Sequence, residues 1–208
     1  MRVKICGLSN RDSLMHAANA GAYYLGFVFY PNSPRSISLS EGRDLLLSVP
    51  AGKVRVALVV NPDNEELDAL TRLPFEMLQL HGGEPPARVA EIRKRTGRAV
   101  MKAIGVREKN DLVQIDAYAA VSDQLLIDAK PPIGATRPGG NATSFDWNLL
   151  AGRRWSKPWL LAGGLTAENV REAGRRTGAS QVDVSSGVES EPGVKSRVMI
   201  EEFMRAAG

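Results

Sequence analysis

A single (β/α)8 barrel of the TIM type, an α/β fold, is what this 208-residue sequence predicts. Three observations carry it. Short apolar runs suited to buried strands alternate with helix-like stretches about eight times along the chain, which is the count of a closed parallel barrel. Two of those runs near the C-terminus, Leu161 to Leu165 (LAGGL) and Gln181 to Glu189 (QVDVSSGVE), stop abruptly in small residues whose backbone N–H groups can be approached closely. Such a pair fits the phosphate cup that a barrel builds from the loops after strands 7 and 8 and a short extra helix. Ser185, Ser186 and Gly187 would open that helix, and Gly163 and Gly164 would face it. Taken singly, Gly-Gly is also an ordinary turn and Ser-Ser-Gly an ordinary cap. The third observation is that the last residues of several strand-like runs are polar, as they are where a barrel carries its chemistry.

In chain order, Arg2 to Cys6 reads as a strand, and Asn10 to Ala20, rich in alanine, as a helix. Tyr23 to Tyr30 is a strand of aromatic and β-branched residues, followed by the loop Pro31 to Ser36 and a helix from about Ser40. Val54 to Val60 is the third strand, ended by Asn61-Pro62, with a helix over about Asp63 to Arg72. Glu76 to His81 is a strand, Gly82-Gly83 a turn, and Pro85-Pro86 opens a helix through about Thr96. Ala99 to Gly105 (strand), Glu108 to Val121 (helix) and Gln124 to Asp128 (strand) follow. A long loop runs from Ala129 to Ser144, then a short helix from Phe145 to Ala151. Pro158 to Ala162 is a strand, Thr166 to Thr177 a helix with Thr166 as N-cap, Gln181 to Val184 the last strand, and Lys195 to Ala206 the closing helix. A doubly wound open sheet is the alternative, but it normally has a Gly-rich turn after its first strand, and CGLSN is not GxGxxG.

The chain suits one domain over 1–208, with 43% hydrophobic residues and no long apolar run. The start, MRVKICGLSN, predicts neither signal peptide nor membrane span, which makes the cytoplasm the expected location. The sequon Asn141-Ala142-Thr143 is then read as chance. One cysteine, Cys6, excludes an internal disulfide and a multi-cysteine zinc site, and His16 and His81 are too few to suggest a metal centre. The net charge of +4 is spread among helices and interleaved with acids, so no nucleic-acid partner is expected. The basic runs Arg93 to Arg98 and Arg171 to Arg176 read as solvated helix faces.

Strand ends supply the candidate chemistry: Cys6 on strand 1, His81 on strand 4, Asp128 on strand 6, Asp183 on strand 8, and Arg35 in the loop after strand 2. Side chains alternate along a strand, so Lys4 points inward with Cys6, Gln79 with His81 and Gln181 with Asp183. Strands 1 and 8 are neighbours in a closed barrel, which predicts that Lys4 and Asp183 neutralise one another inside it. A lone cysteine there also reads as a small buried hydrophobe, Asp128 as a turn cap, and His81 as a cap through its ring nitrogens. What raises Cys6 and Asp128 together is their position on opposite walls of the mouth, where an acid and a base suit proton transfers on a sugar phosphate. A thiol ordinarily ionises near 8.5, so Cys6 needs local positive potential to act as a thiolate, and Lys4 could supply some.

At this point KICGL at 4–8, GFVFYPNSPRSIS at 26–38, LQLHG at 78–82, LLIDA at 125–129, FDW at 145–147, LAGGLTAENV at 161–170 and VDVSSGVESEPGVKS at 182–196 can be taken together. The sequence resembles the phosphoribosylanthranilate isomerase family along nearly its whole length. That resemblance implies an Amadori rearrangement in tryptophan biosynthesis, without metal or organic cofactor, on a phosphorylated small molecule. It implies Asp128 as general acid, Cys6 as general base and Arg35 as the partner of the anthranilate carboxylate. The phosphate would rest on Gly163, Gly164, Ser186 and Gly187, with His81 as a further substrate contact. It leaves room for association with other tryptophan-pathway enzymes. Two departures stand out: Gly139-Gly140-Asn141-Ala142 where Gly-Gly-Thr-Gly is usual, with Thr143 where lysine is common, and Ser196 where aspartate is usual. The nearest rivals are the related histidine-pathway isomerase, which would want an aspartate at strand 1 and a second phosphate cup, and the decarboxylating indole-forming barrel, for which Lys102 is a weak catalytic lysine. A barrel that binds phosphometabolites without catalysis is the rival of another class.

Overall fold

The computed structural model describes residues 1–130, 139–140 and 144–208. The altered run 141–143, the sequon and most of the long loop therefore lie outside the described residues. Eight parallel strands close into a barrel in chain order: β1 (Arg2–Cys6), β2 (Tyr24–Val28), β3 (Val54–Val59), β4 (Met77–Leu80), β5 (Ala99–Val106), β6 (Gln124–Ala129), β7 (Trp159–Leu161) and β8 (Gln181–Val184). The helices outside them are α1 (Arg11–Asn19), α2 (Leu39–Leu47), α3 (Asn64–Leu70), α4 (Pro86–Thr96), α5 (Ile115–Val121), α6 (Val170–Thr177) and α7 (Arg197–Ala207). Between β6 and β7 the described connection holds only a 3-10 turn, Trp147–Leu150, shorter than the helix expected from Phe145.

Local chemistry sets most helix starts. Asn10 accepts from the Ser13 amide, and Ser38 and Asp63 each form a reciprocal capping box with the glutamate three residues on. Ser196, one of the departures, accepts from the Met199 amide and caps α7. Gly97 and Gly178 end α4 and α6 in the left-handed conformation.

Three further boundaries differ from the sequence expectation. The helix expected from Thr166 starts at Val170, because Asn169 folds back, accepting from the Thr166 amide and donating to the Gly164 carbonyl. Thr166 is therefore not an N-cap. The stretch from Glu108 is a 3-10 turn, Lys109–Gln114, before α5. Lys195 does not open α7. It lies on a small antiparallel hairpin, β9 (Glu189–Glu191) with β10 (Val194–Lys195), that the sequence reading did not contain.

The register places Lys4 opposite Asp183 across the β1/β8 seam, and Lys4 Nζ donates to Asp183 Oδ1 at 2.8 Å, as alternation predicted. Below this pair Tyr24 Oη donates to Gln181 Oε1 at 2.9 Å. Val56, Met101, Leu126 and Leu160 form an apolar layer of the barrel interior. The larger core lies between strands and helices, around Phe27, Phe75, Leu78, Ile127 and Phe203. Arg93, Arg95, Arg175 and Arg176 pair with Asp123, Asp68 and Glu172 at the surface, as solvated faces do. No described helix is long and apolar enough to cross a membrane.

Candidate active site

The C-terminal mouth of the barrel holds two adjoining hollows of about 400 and 480 Å³. Asp128, Asp183, Ser185, Gly139 and Gly140 line both. The first is backbone-rich, with Gly163, Gly164, Ser186 and Gly187 around it. Gly163 and Gly164 both take positive φ, 91° and 62°, which turns the chain back on itself at the end of β7. Asn169 fastens that turn. The expected short helix after β8 is a single 3-10 turn, Ser186–Val188, preceded by Ser185. Ser185 Oγ donates to the Cys6 carbonyl at 3.0 Å and so ties this loop to the end of β1.

Cys6 faces the second hollow, together with Arg35, His81, Asp128 and an apolar wall of Val28, Leu58 and Val60. Asp128 Oδ1 accepts from the Ala129 amide at 2.8 Å. Its Oδ2 lies 3.2 Å from His81 Nε2, and His81 Nδ1 meets the Gln79 amide at 2.9 Å. His81 is thus oriented from behind and set against Asp128, a different neighbour from the turn that a capping histidine would serve. Lys102, the weak candidate, alternates with the inward-facing Met101 and Ala103 and is buried outside the barrel beside Tyr118, where it donates to Glu84 at 2.7 Å and to the Gly82 carbonyl at 2.7 Å. Burial pushes its pKa down against the pull of Glu84. It staples the turn after β4.

Arg35 is buried, and its Nε and Nη2 each donate to Glu189 at 2.7 Å. The remaining edge of the guanidinium faces Gly140, where a Cβ would lie 2.7 Å from Nη1. Lys195 Nζ shares the same carboxylate at 2.6 Å and also donates to the Ser185 carbonyl at 3.0 Å. Glu189 and Lys195 were missed as site residues. The signal was Pro192-Gly193, a turn dipeptide between them.

Burial would raise the pKa of Glu189, but hydrogen bonds and charge from Arg35 and Lys195 outweigh it and hold the carboxyl below its ordinary value. A lowered folded value means that the stabilisation is complete above the unfolded value of about 4.5 and drains as pH falls through the folded one. Wild type should therefore exceed Glu189→Gln in urea stability at neutral pH, with the gap closing on acidification below about 4.5. A gap independent of pH would contradict the ionised cluster. Burial would also lower the pKa of Lys4, yet Asp183 and the Cys6 thiol more than reverse this and raise it. Among the described residues no three His, Cys, Asp or Glu side chains gather as a metal site would need.

Comparison with known proteins decides the family. Residues 3–206 match the family described as N-(5'-phosphoribosyl)anthranilate (PRA) isomerase. The chain belongs to that family. Relatives named N-(5'-phosphoribosyl)anthranilate isomerase include those of Cereibacter sphaeroides, 57% identical over 100% of this chain and 98% of the relative, and Paracoccus denitrificans, 56% identical over 99% and 96%. The phosphoribosylanthranilate isomerase crystal structure from Thermotoga maritima superposes with a TM-score of 0.89 at 36% identity, over 100% of this chain and 98% of that one. Another isomerase structure, in complex with reduced 1-(o-carboxyphenylamino)-1-deoxyribulose 5-phosphate, gives 0.84 at 34% identity over 100% and 98%. As a family member the chain is an isomerase of tryptophan biosynthesis built on a TIM barrel, which sets aside the histidine-pathway and indole-forming rivals.

Proposed function

We propose that the two hollows together bind N-(5'-phosphoribosyl)anthranilate and convert it to 1-(2-carboxyphenylamino)-1-deoxyribulose 5-phosphate. One observation carries the reading: Cys6 and Asp128, from β1 and β6, line the same hollow, which opens through Asp128 and Ser185 onto the backbone cup. The phosphate rests on the N–H groups around Gly163, Gly164, Ser186 and Gly187. Arg35 receives the anthranilate carboxylate on the edge that Glu189 leaves free, and Val28, Leu58 and Val60 give the aromatic ring an apolar wall. His81 touches the substrate beside Asp128.

Asp128 protonates the furanose ring oxygen as the C1'–O bond breaks, and the nitrogen lone pair forms the Schiff base. The Cys6 thiolate removes the C2' proton, and the electron pair moves to give the enolamine. The 2'-hydroxyl then loses its proton as C1' gains one, leaving the ketone. Apart from the C1'–O cleavage that the first protonation drives, every step is a proton transfer, so placed charges in the pocket suffice.

The test is the loss of anthranilate fluorescence when purified protein meets freshly generated phosphoribosylanthranilate, with a no-enzyme control because the substrate is labile. Rapid turnover is expected. A folded protein without turnover would remove the catalytic reading and favour a binding barrel. The cup has its own test in Gly187→Ala, whose added Cβ would run into the Leu165 carbonyl oxygen and force the loop outward. A displacement of that kind should cost about tenfold to a hundredfold in kcat/KM, mainly through KM. An unchanged KM would place the phosphate elsewhere. A cytoplasmic location and contact with other tryptophan-pathway enzymes go with this reading, and fractionation and co-purification test them.

A further inference from the structure

The charges around Cys6 do not balance. Lys4 is matched one to one by Asp183 on β8. On the hairpin, Glu189 is a single carboxylate shared by two cations, Arg35 and Lys195. With all three ionised, that buried trio carries one net positive charge. Opposite, His81 and Asp128 face each other on the far wall, and Tyr30 lines the rim. Lys195 is almost wholly enclosed, with 1% of its side chain exposed, and among the described residues its partners are Glu189 and Ser185. Ser185 in turn holds the Cys6 carbonyl, so Lys195 is one residue removed from the thiol-bearing chain. A cation in such a place, with half a counter-ion, stabilises any anion that forms beside it.

We propose that Lys195 is a positioning residue for the proton abstraction: fixed by Ser185 and Glu189, its ammonium adds to the positive potential beside Cys6 and favours the thiolate, and Glu189 sets how much of that charge Cys6 feels. The inference rests on the reading of Cys6 as general base. Lys4 sits directly under the thiol and also acts on it, but its charge is largely matched by Asp183, so Lys195 adds the part of the potential that has no full counter-ion. The interaction is mutual, since the Cys6 charge draws the Lys195 pKa upward while burial, the larger effect, lowers it. On ionisation the S–H bond breaks, the electron pair stays on Sγ and the proton leaves to solvent in the free enzyme.

Cys6 is the sole cysteine, so alkylation of the full chain by iodoacetamide reads this thiol alone, without turnover. The thiolate displaces iodide and forms one S–C bond, and the pH midpoint of the rate reports its ionisation. Lys195→Met should raise the midpoint by about one pH unit and slow the reaction near neutrality by about tenfold, whereas Lys195→Arg should stay near wild type. Glu189→Gln should move the midpoint the other way, because it strips the shared counter-charge from Lys195 and Arg35. Loosened packing alone cannot give opposite signs. An unmoved midpoint in Lys195→Met, or a rise in both variants, overturns the proposal. Should Lys195→Met not fold, Lys195→Gln takes its place: a raised midpoint supports the proposal, and an unmoved or lowered one sinks it. If instead Cys6→Ala keeps full isomerase turnover, the base assignment is wrong whatever the alkylation shows, so the two failures are distinct.

Discussion

Asp128→Asn is expected to lower kcat by about three orders of magnitude, roughly 4 kcal/mol in the barrier, with KM little changed. The amide oxygen can still accept from the Ala129 amide, the contact that Asp128 Oδ1 makes, so the end of β6 should keep its shape. What is lost is the transferable proton. The ring oxygen of the sugar is a poor leaving group unless protonated, and no other described carboxylic acid lines both hollows except Asp183, which is committed to Lys4. Cys6→Ser should fall as far for the opposite reason. The serine hydroxyl fits the space but gives up its proton far less readily than a thiol, whose ordinary pKa is about 8.5. Steady-state kinetics with circular dichroism on each variant checks both. Either variant retaining a tenth of wild-type turnover would require a different acid or base.

Lys4→Met should cost about 3–5 kcal/mol in urea unfolding, a large share of the roughly 5–15 kcal/mol that holds a typical domain. Lys4 is fully enclosed and Asp183 nearly so. Removing the ammonium leaves a carboxylate in the barrel interior with its counter-ion gone, on the seam where the first strand meets the last. The double variant Lys4→Met with Asp183→Asn should recover most of the loss, because an amide carries no charge to strand. A single-variant loss below about 1 kcal/mol would mean that water reaches Asp183 in its place.

This pair was legible in the sequence because two short-range rules converge on it. Alternation puts Lys4 on the inner face with Cys6, and barrel closure puts β8 next to β1. The strand count and the Gly163-Gly164 turn were legible for the same reason, since each is decided within a few residues. Thr166 misled because a local cap signal lost to Asn169, which claims the same backbone from three residues on. The Arg35–Glu189 pair had no local signal at all: 154 residues separate the two, and nothing near Arg35 says which acid it will meet. Likewise His81, just past the end of β4, and Asp128, on β6, are separated by β5 and meet only because the barrel curves them toward one interior. The hairpin that carries Glu189 and Lys195 hid between a strand end and a helix start, where two short extended pieces resemble a loop.

The β1/β8 seam also sets the order of events when the chain folds. Lys4 and Asp183 are 179 residues apart, and the amino terminus donates to the Ala207 carbonyl across 206. Contacts that distant in sequence form late, because most of the loop entropy must be surrendered before they are reached. Until β8 docks, β1 offers a bare edge that another copy of the chain could extend. On a ribosome that interval lasts at least through the synthesis of the 179 residues from Lys4 to Asp183, so crowding of nascent chains exposes that edge to aggregation before the barrel can close.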